Sequence, residues 1–303
     1  MIRINKYAAI DIGSNAVRLL ISSVVSEDNK IIRVKKISLV RVPIRLGADS
    51  FKKNKIKKDN IKRLSDAILA FKLLMKIHKV AKYKICATSA LRSANNIALI
   101  KKNIFKKSEL ILDVISGKEE ASIIADTFFS SKYLDSKTYL FVDVGGGSTE
   151  LSLIVKGNII TSKSFKIGTI RFINNLIDEK ILDKYKSWIT KNTKVFSDII
   201  LIGTGGNINK ILKESKKSNV DLISYSFIKE FYRNISSLSY DQRITKLGFN
   251  PDRSDVIVPA TKIFLKTMEY ANSNEIIVPR IGLADGIIRK LNNSISYGYD
   301  FTK

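Results

Sequence analysis

The chain has 303 residues, enough for two domains, and a 45% hydrophobic content ordinary for a globular protein, while one cysteine (Cys86) and one histidine (His78) exclude disulfide, cysteine-rich and multi-histidine chemistry. Lys+Arg 53 against Asp+Glu 28 gives a formal net charge of +25, which attracts polyanions at low salt, although a genome favouring Lys, Asn and Ile codons gives the same excess. No apolar run reaches the roughly 20 residues of a membrane span, and Met1–Lys6 passes straight into a strand-like segment without a secretory pattern, which fits a cytoplasmic protein.

Three strands are predicted first, over 7–12, 16–25 and 31–42, with Gly13-Ser14-Asn15 turning the first pair into a hairpin. A helix follows from about Asp59 to Ala81. Its stripe of Ile61, Leu64, Ile68, Phe71 and Met75, continued by His78, has helical spacing, so His78 reads as packed rather than catalytic. Next come a strand at Tyr83–Ala87, a turn and helix start at Thr88–Arg92, and a short strand over Ile111–Ile115 ending at Ser116-Gly117. The second half repeats the opening order with strands at 138–143, 150–155 and 159–165. A strand at 199–202 enters Gly203-Thr204-Gly205-Gly206-Asn207 and a helix to about Ser215. Helices near 227–237 and 255–271, a strand at 275–278 and a helix at 283–292 complete the chain. The repeat divides it into an N-terminal lobe, 1–122, joined by the C-terminal segment of about 284–303, and a second lobe, 123–283.

The chemistry concentrates in the duplicated turns. Asp143-Val144-Gly145-Gly146-Gly147-Ser148-Thr149-Glu150 follows the apolar run Tyr139–Val142, and Asp11-Ile12-Gly13-Ser14-Asn15 is its counterpart. Glycines let backbone amides press against phosphate oxygens, and Ser148 and Thr149 add hydroxyls. A single Asp-glycine turn is also a common structural cap; two matched turns suggest a duplicated phosphate-handling unit with a cleft between the copies. Carboxylates beside phosphate need a cation between them, so Asp11, Asp143 and Glu150 are candidate ligands for Mg²⁺ or another divalent ion. Ser116 and Glu119 have capping-box spacing, which gives Glu119 a structural task and makes Glu120 the preferred general base, with Glu119 second. Arg18 and Arg92, each just beyond a strand-end turn, could hold phosphate oxygens with a planar fork, and Arg171 is a third candidate.

These residues resemble the Ppx/GppA phosphatases, the exopolyphosphatases and guanosine pentaphosphate phosphohydrolases. The resemblance runs over nearly the whole chain: Asp11–Asn15 with Arg18, Ala87–Arg92, Ile115–Ala121, Asp143–Glu150, Gly168–Arg171 and Gly203–Gly206. It implies an α/β, two-lobed actin-like fold, each lobe an RNase H-like mixed sheet flanked by helices. It also implies Mg²⁺-dependent hydrolysis of a terminal phosphoanhydride of polyphosphate or guanosine pentaphosphate, with no membrane or specific nucleic-acid partner, in a homodimer. By the same analogy Glu120 or Glu119 activates water, Asp143 and Glu150 organise metal and water, and Gly13, Ser14, Asn15, Gly145, Gly146, Gly147, Ser148 and Thr149 hold phosphate. Three positions depart from the family pattern: Ala16 replaces a small hydroxyl residue, Thr261 replaces Gly, and Gly282–Gly286 replaces a segment that commonly carries Arg. The chain ends where longer members add a helical domain, so the resemblance implies a compact form. An ATP-using kinase or ATPase of the same fold is the alternative, since Gly203–Gly206 resembles an adenosine-contacting segment. A basic nucleic-acid-binding protein is a third reading, against which the scattered lysines and the lack of a recognition motif stand.

Overall fold

Ala8, Ala9, Ile10 and Ile12 are fully buried because the strand that carries them has neighbours on both sides. The computed structural model describes residues 2–28, 30–129, 137–215, 221–293 and 298–300. Strands β1 (Ile2–Ile12), β2 (Val17–Glu27) and β3 (Lys30–Val42) form an antiparallel meander. Helices α1 (Leu46–Lys53) and α2 (Lys58–Ile77) lead to β4 (Lys82–Ala87), which pairs parallel with β1. Then follow α3 (Ser89–Arg92), α4 (Ile97–Ser108), β5 (Asp113–Val114) and α5 (Gly117–Phe129).

A second meander consists of β6 (Thr138–Val144), β7 (Thr149–Val155) and β8 (Asn158–Phe165). After α6 (Thr169–Ile173) and α7 (Glu179–Thr193), β9 (Ile199–Thr204) pairs parallel with β6 and runs into α8 (Gly206–Glu214). The elements β10 (Leu222–Ser224), α9 (Tyr225–Ser237), α10 (Tyr240–Thr245), α11 (Pro251–Ser254), α12 (Ile257–Ala271) and β11 (Glu275–Ile277) follow, then α13 (Leu283–Asn293) and β12 (Tyr299–Asp300). Contacts divide the chain into Met1–Thr127 with Gly282–Lys303, and Phe128–Ile281. In the first unit the sheet order is β12-β4-β1-β2-β3 with β5 beside β4; in the second it is β10-β11-β9-β6-β7-β8. Two mixed sheets flanked by helices, each built on an antiparallel meander with parallel additions beside its first strand, give the α/β architecture of the actin-like class. Among the described residues no helix is long and apolar enough to cross a membrane.

Burial explains which elements the sequence revealed. In α2 every member of the apolar stripe from Ile61 to Met75 is buried, and α4 packs alongside with Ile100 and Ile104. The helix ends at Ile77, short of the predicted Ala81, because Lys79 turns left-handed (φ 55) and the Val80 amide bonds back to Met75. His78 is consequently a half-buried C-cap residue, outside the packed stripe. Strand β1 begins five residues before the predicted start, because Ile2–Lys6 pair with β2 alone, beyond the reach of β4. Conversely, 111–115 contracts to Asp113–Val114, the length over which β4 supplies partners. Helix α7 escaped notice because only Tyr185, Ile189 and Thr193 are buried along a lysine-rich sequence. The end of the predicted C-terminal segment, 294–297 and 301–303, lies outside the described residues.

Candidate active site

The glycine turn of the second unit is a two-residue hairpin loop closed by the Gly145 amide donating to the Ser148 carbonyl at 2.9 Å. Its carbonyls are all drawn to one side. Gly145 O accepts from the Thr169 amide (3.0 Å), Gly146 O from the Ile170 and Arg171 amides (2.8 and 3.3 Å), and Gly147 O from Arg171 Nε (2.8 Å). In a trans peptide the next residue's N–H points opposite to the carbonyl, so the amides of Gly146, Gly147 and Ser148 are turned away from α6. Consecutive amides so directed make an anion-binding concavity. Gly168 makes this possible: a Cβ there would lie 2.5 Å from Gly146 C, Gly146 O and Gly147 C. Arg171, a candidate phosphate ligand from the sequence, donates its Nε to the loop carbonyl, and burial lowers its pKa.

The first unit builds the same device from different residues. Gly13 N donates to Ala16 O (3.1 Å), Ser14 O accepts from the Gly47 amide (2.9 Å), and Asn15 O from the Arg45 amide (3.0 Å). Here too the segment after the third strand ties down the hairpin's carbonyls. Arg45 holds the left-handed conformation (φ 62, ψ 41) to deliver its amide. Sequence reasoning passed over Arg45-Leu46-Gly47; their position after β3, matching Gly168–Ile170 after β8, was the signal available. Two expectations need correction. The Gly13 and Gly145 amides are committed to closing their own turns. The Thr149 hydroxyl, fully buried, donates to Ile167 O at 2.7 Å and anchors the strand.

Strand register sets the carboxylates. Asp143 lies directly opposite Glu150 across β6–β7, and the outer neighbours in the same row are Thr204 on β9 and Ser164 on β8. Thr204 Oγ1 donates to Asp143 Oδ1 (2.7 Å), and Ser164 Oγ donates to Glu150 Oε1 (2.9 Å). Glu150 is only 2% exposed. Like charges directly opposite destabilise a sheet, and half-buried Asp143 with buried Glu150 is the carboxylate pair in this unit that could hold a cation. An all-oxygen donor set with two carboxylates suits a hard divalent ion such as Mg²⁺. Gly205, at φ 102, lets its backbone pass beside this pair: a Cβ there would sit 3.4 Å from Asp143 Oδ1.

The corresponding row in the first unit reads Cys86, Asp11, Arg18, Arg41. Buried Asp11 faces Arg18 Nη1 at 3.5 Å, so this predicted metal ligand has a guanidinium as its cross-strand partner. The metal reading therefore rests on Asp143 and Glu150. Burial pushes the Cys86 thiol up to about 12, and Asp11 adds to the rise, so the thiol is protonated and inert at neutral pH. Ser14 Oγ and Ser89 Oγ lie 3.3 Å apart, joining the first turn to the start of α3.

At the start of α5 the two glutamates separate. Ser116 Oγ accepts from the Glu119 amide at 3.1 Å, the serine half of the predicted capping box, and Glu119 is exposed. Glu120 is different. Its side chain is 12% exposed, and Oε2 lies 3.6 Å from Arg92 Nη1, which also donates to the Ile115 carbonyl at 2.6 Å. Arg92 thus pairs with Glu120 while anchored to the Ile115 carbonyl. Among the departures, the Thr261 hydroxyl donates to Ile257 O (2.8 Å) within α12 and is fully buried, which is a packing role. Asp285 accepts from the Gly282 amide (3.0 Å) at the opening of α13.

Each unit thus carries a hairpin whose carbonyls are tied back by the segment after its third strand, and the second unit adds the cross-strand pair of Asp143 and Glu150. The family profile described as the Ppx/GppA phosphatase family matches residues 23–294. A bifunctional 3-dehydroquinate synthase/phosphatase of Fusobacterium nucleatum is 30% identical over 297 residues, covering 89% of this chain and 44% of that protein. A guanosine-5'-triphosphate,3'-diphosphate pyrophosphatase of Photobacterium profundum is 22% identical over 307 residues, covering 96% of this chain and 60% of that one. The chain thus spans between 44% and 60% of the length of these two relatives. Among solved structures, an exopolyphosphatase from Cytophaga hutchinsonii superposes with a TM-score of 0.83 at 21% identity, covering 97% of this chain and all of that one. An Aquifex aeolicus Ppx/GppA family member gives 0.74 at 24% identity, with 95% and 98% covered. These likenesses show a shared fold. The chain belongs to the Ppx/GppA phosphatase family.

Proposed function

We propose that this chain hydrolyses the terminal phosphoanhydride of inorganic polyphosphate, of guanosine pentaphosphate, or of both. The observation that carries the reading is the Gly145–Ser148 turn, with its carbonyls tied back and its amides turned outward, next to the register pair of Asp143 and Glu150. Relatives named for guanosine pentaphosphate hydrolysis and for phosphatase activity support it.

Glu120 takes a proton from water as the water oxygen bonds to the terminal phosphorus. The bond from that phosphorus to the bridging oxygen breaks, the bridging oxygen keeps the electron pair, and orthophosphate leaves behind a chain one unit shorter. Arg92 holds the Glu120 carboxylate in place. The amides of Gly146, Gly147 and Ser148 bind phosphate oxygens and oppose charge as it builds on them. Asp143 and Glu150 would hold the divalent ion, which supplies charge neutralisation on the phosphates when bound. Thr204 and Ser164 orient those carboxylates.

The test is phosphate release from tripolyphosphate, long-chain polyphosphate and guanosine pentaphosphate, side by side, with Mg²⁺ and with EDTA. Release from at least one substrate, abolished by the chelator, is expected, and the ratios rank the substrates. No release from any of them, together with ATP-dependent phosphorylation of an acceptor, would replace this reading by a kinase.

A further inference from the structure

Positive charge in the first unit gathers along two packed helices. Helix α4 carries Lys101, Lys102, Lys106 and Lys107 and no acidic residue, and the acids of its neighbour α2 are Asp59 and Asp66. A groove of about 560 Å³ lies between them. Ile61 and Ser65, both buried, form its floor, with Leu99 on the α4 side. Its walls are fastened at both ends. Asn96 exchanges two hydrogen bonds with the Ile56 backbone, at 3.0 and 2.9 Å, where α4 begins, and Lys107 pairs with Asp66 where it ends. The Ser65 hydroxyl and the Asn103 amide donate to carbonyls of their own helices, Ile61 O (2.9 Å) and Leu99 O (2.8 Å). What the groove offers a ligand is therefore the ammonium groups of Lys58, Lys62 and Lys106, which are exposed and have no ion-pair partner among the described residues. Three like charges around one fixed groove repel one another, and a bound polyanion turns that repulsion into attraction.

We propose that this groove is a second binding site for inorganic polyphosphate, which takes a distal stretch of a long chain while the reacting end sits at the catalytic residues. The proposal rests on the phosphoanhydride reading above and names the substrate class within it. Lysine ammonium groups are compact point charges on flexible stems, so they suit a chain of identical phosphates and impose no planar geometry on it. Long aliphatic stems lie along apolar surface and keep the charge at the rim, which matches a floor of Ile61 and Leu99. No aromatic ring lines the groove to stack a base, and that favours an inorganic polyanion over single-stranded nucleic acid. Helix α4 follows α3, which carries Arg92, so the groove and Arg92 belong to the same unit. A chain long enough to be held in both places meets the catalytic residues at a raised effective concentration, an advantage that tripolyphosphate does not gain.

The test compares wild type with the triple variant Lys58→Gln/Lys62→Gln/Lys106→Gln. Its control, Lys180→Gln/Lys184→Gln/Lys191→Gln, removes the same charge from exposed positions on α7. Two quantities are read for long-chain polyphosphate and for tripolyphosphate: calorimetric binding with EDTA present over a series of salt concentrations, and steady-state phosphate release. Loss of three phosphate contacts is expected to weaken long-chain binding about tenfold at low salt and to reduce the slope of log K against log salt by about two. KM for long chains should rise in step, with kcat and the tripolyphosphate KM within about twofold of wild type. The α7 control should bind both as wild type does. Wild-type long-chain binding in the groove variant would overturn the proposal. So would an equal loss for tripolyphosphate, which would place these lysines at the reacting end, or an equal loss in the control, which would assign the effect to overall charge. Single-stranded RNA that binds wild type as tightly as polyphosphate of equal charge, and loses as much in the groove variant, would reassign the groove to nucleic acid. Phosphate release from guanosine pentaphosphate without any binding of long polyphosphate would overturn the groove proposal alone. Groove-dependent binding of polyphosphate with no phosphate released from any substrate would count against the hydrolase reading alone.

Discussion

Glu120→Gln is expected to lower kcat for phosphate release by about 10²–10⁴-fold, the usual contribution of a positioned general base, while leaving KM within about threefold. The substitution keeps the size and reach of the side chain and removes its negative charge, and with it both the capacity to accept a proton from water and the ion pair with Arg92. Arg92 would retain its bond to the Ile115 carbonyl, so the N-terminus of α5 should keep its shape and thermal unfolding should shift little. Glu119→Gln is the informative contrast. Glu119 is exposed, and its backbone amide alone serves the Ser116 cap, so turnover within about threefold of wild type is expected. Phosphate-release kinetics on both variants, with a thermal melt of each, separate the roles. A Glu120→Gln enzyme retaining a third of wild-type kcat would remove this residue from the mechanism.

Gly168→Ala should damage both stability and activity, for a reason visible only in three dimensions. A methyl group at this position meets backbone atoms of Gly146 and Gly147 at 2.5 Å, and backbone cannot rotate out of the way as a side chain would. Either the 168–171 segment or the glycine hairpin must move. The hydrogen bonds that draw the hairpin carbonyls to one side would then lengthen, and the amides of Gly146, Gly147 and Ser148 would lose their common direction. Overpacking of this kind costs about 1–3 kcal/mol of stability. A displacement near 1 Å in a positioning element can lower turnover by about 10²-fold, and that is the expected loss. Gly282→Ala provides the control, because a Cβ there has open space and the backbone is not left-handed. Urea denaturation and phosphate release measured on the two alanine variants check the argument. Equal behaviour would show that the hairpin does not depend on close backbone approach at Gly168.

Much of this was legible in the sequence because it depends on local pattern. Alternating and buried apolar runs gave both meanders, and the chemistry of Asp143–Glu150 and Asp11–Asn15 marked the hairpins between their first two strands. The Ser116/Glu119 spacing marked the start of α5, where the Glu119 amide bonds to Ser116 Oγ. What stayed hidden depends on partners distant in the chain. Arg45 and Gly47 bond to the first turn, and Thr169 to Arg171 to the second, through backbone amides that leave no side-chain signature. Thr204 and Ser164 became neighbours of the carboxylates only through register across β9, β6, β7 and β8. The Thr149 hydroxyl looked like a phosphate donor until the fold placed Ile167 O within reach. Lysine-rich α7 shows the complementary failure, in which a mostly solvated helix has too few apolar positions to display its period.

The most direct test of the central claim follows the oxygen. Turnover of the best substrate in H₂¹⁸O, with the released orthophosphate analysed by mass spectrometry, reports which atom bonds to the terminal phosphorus. Hydrolysis at that phosphorus predicts one solvent-derived oxygen in every orthophosphate released and none in the shortened chain. Label in the remaining chain, or orthophosphate carrying no solvent oxygen, would contradict attack by water on the terminal unit.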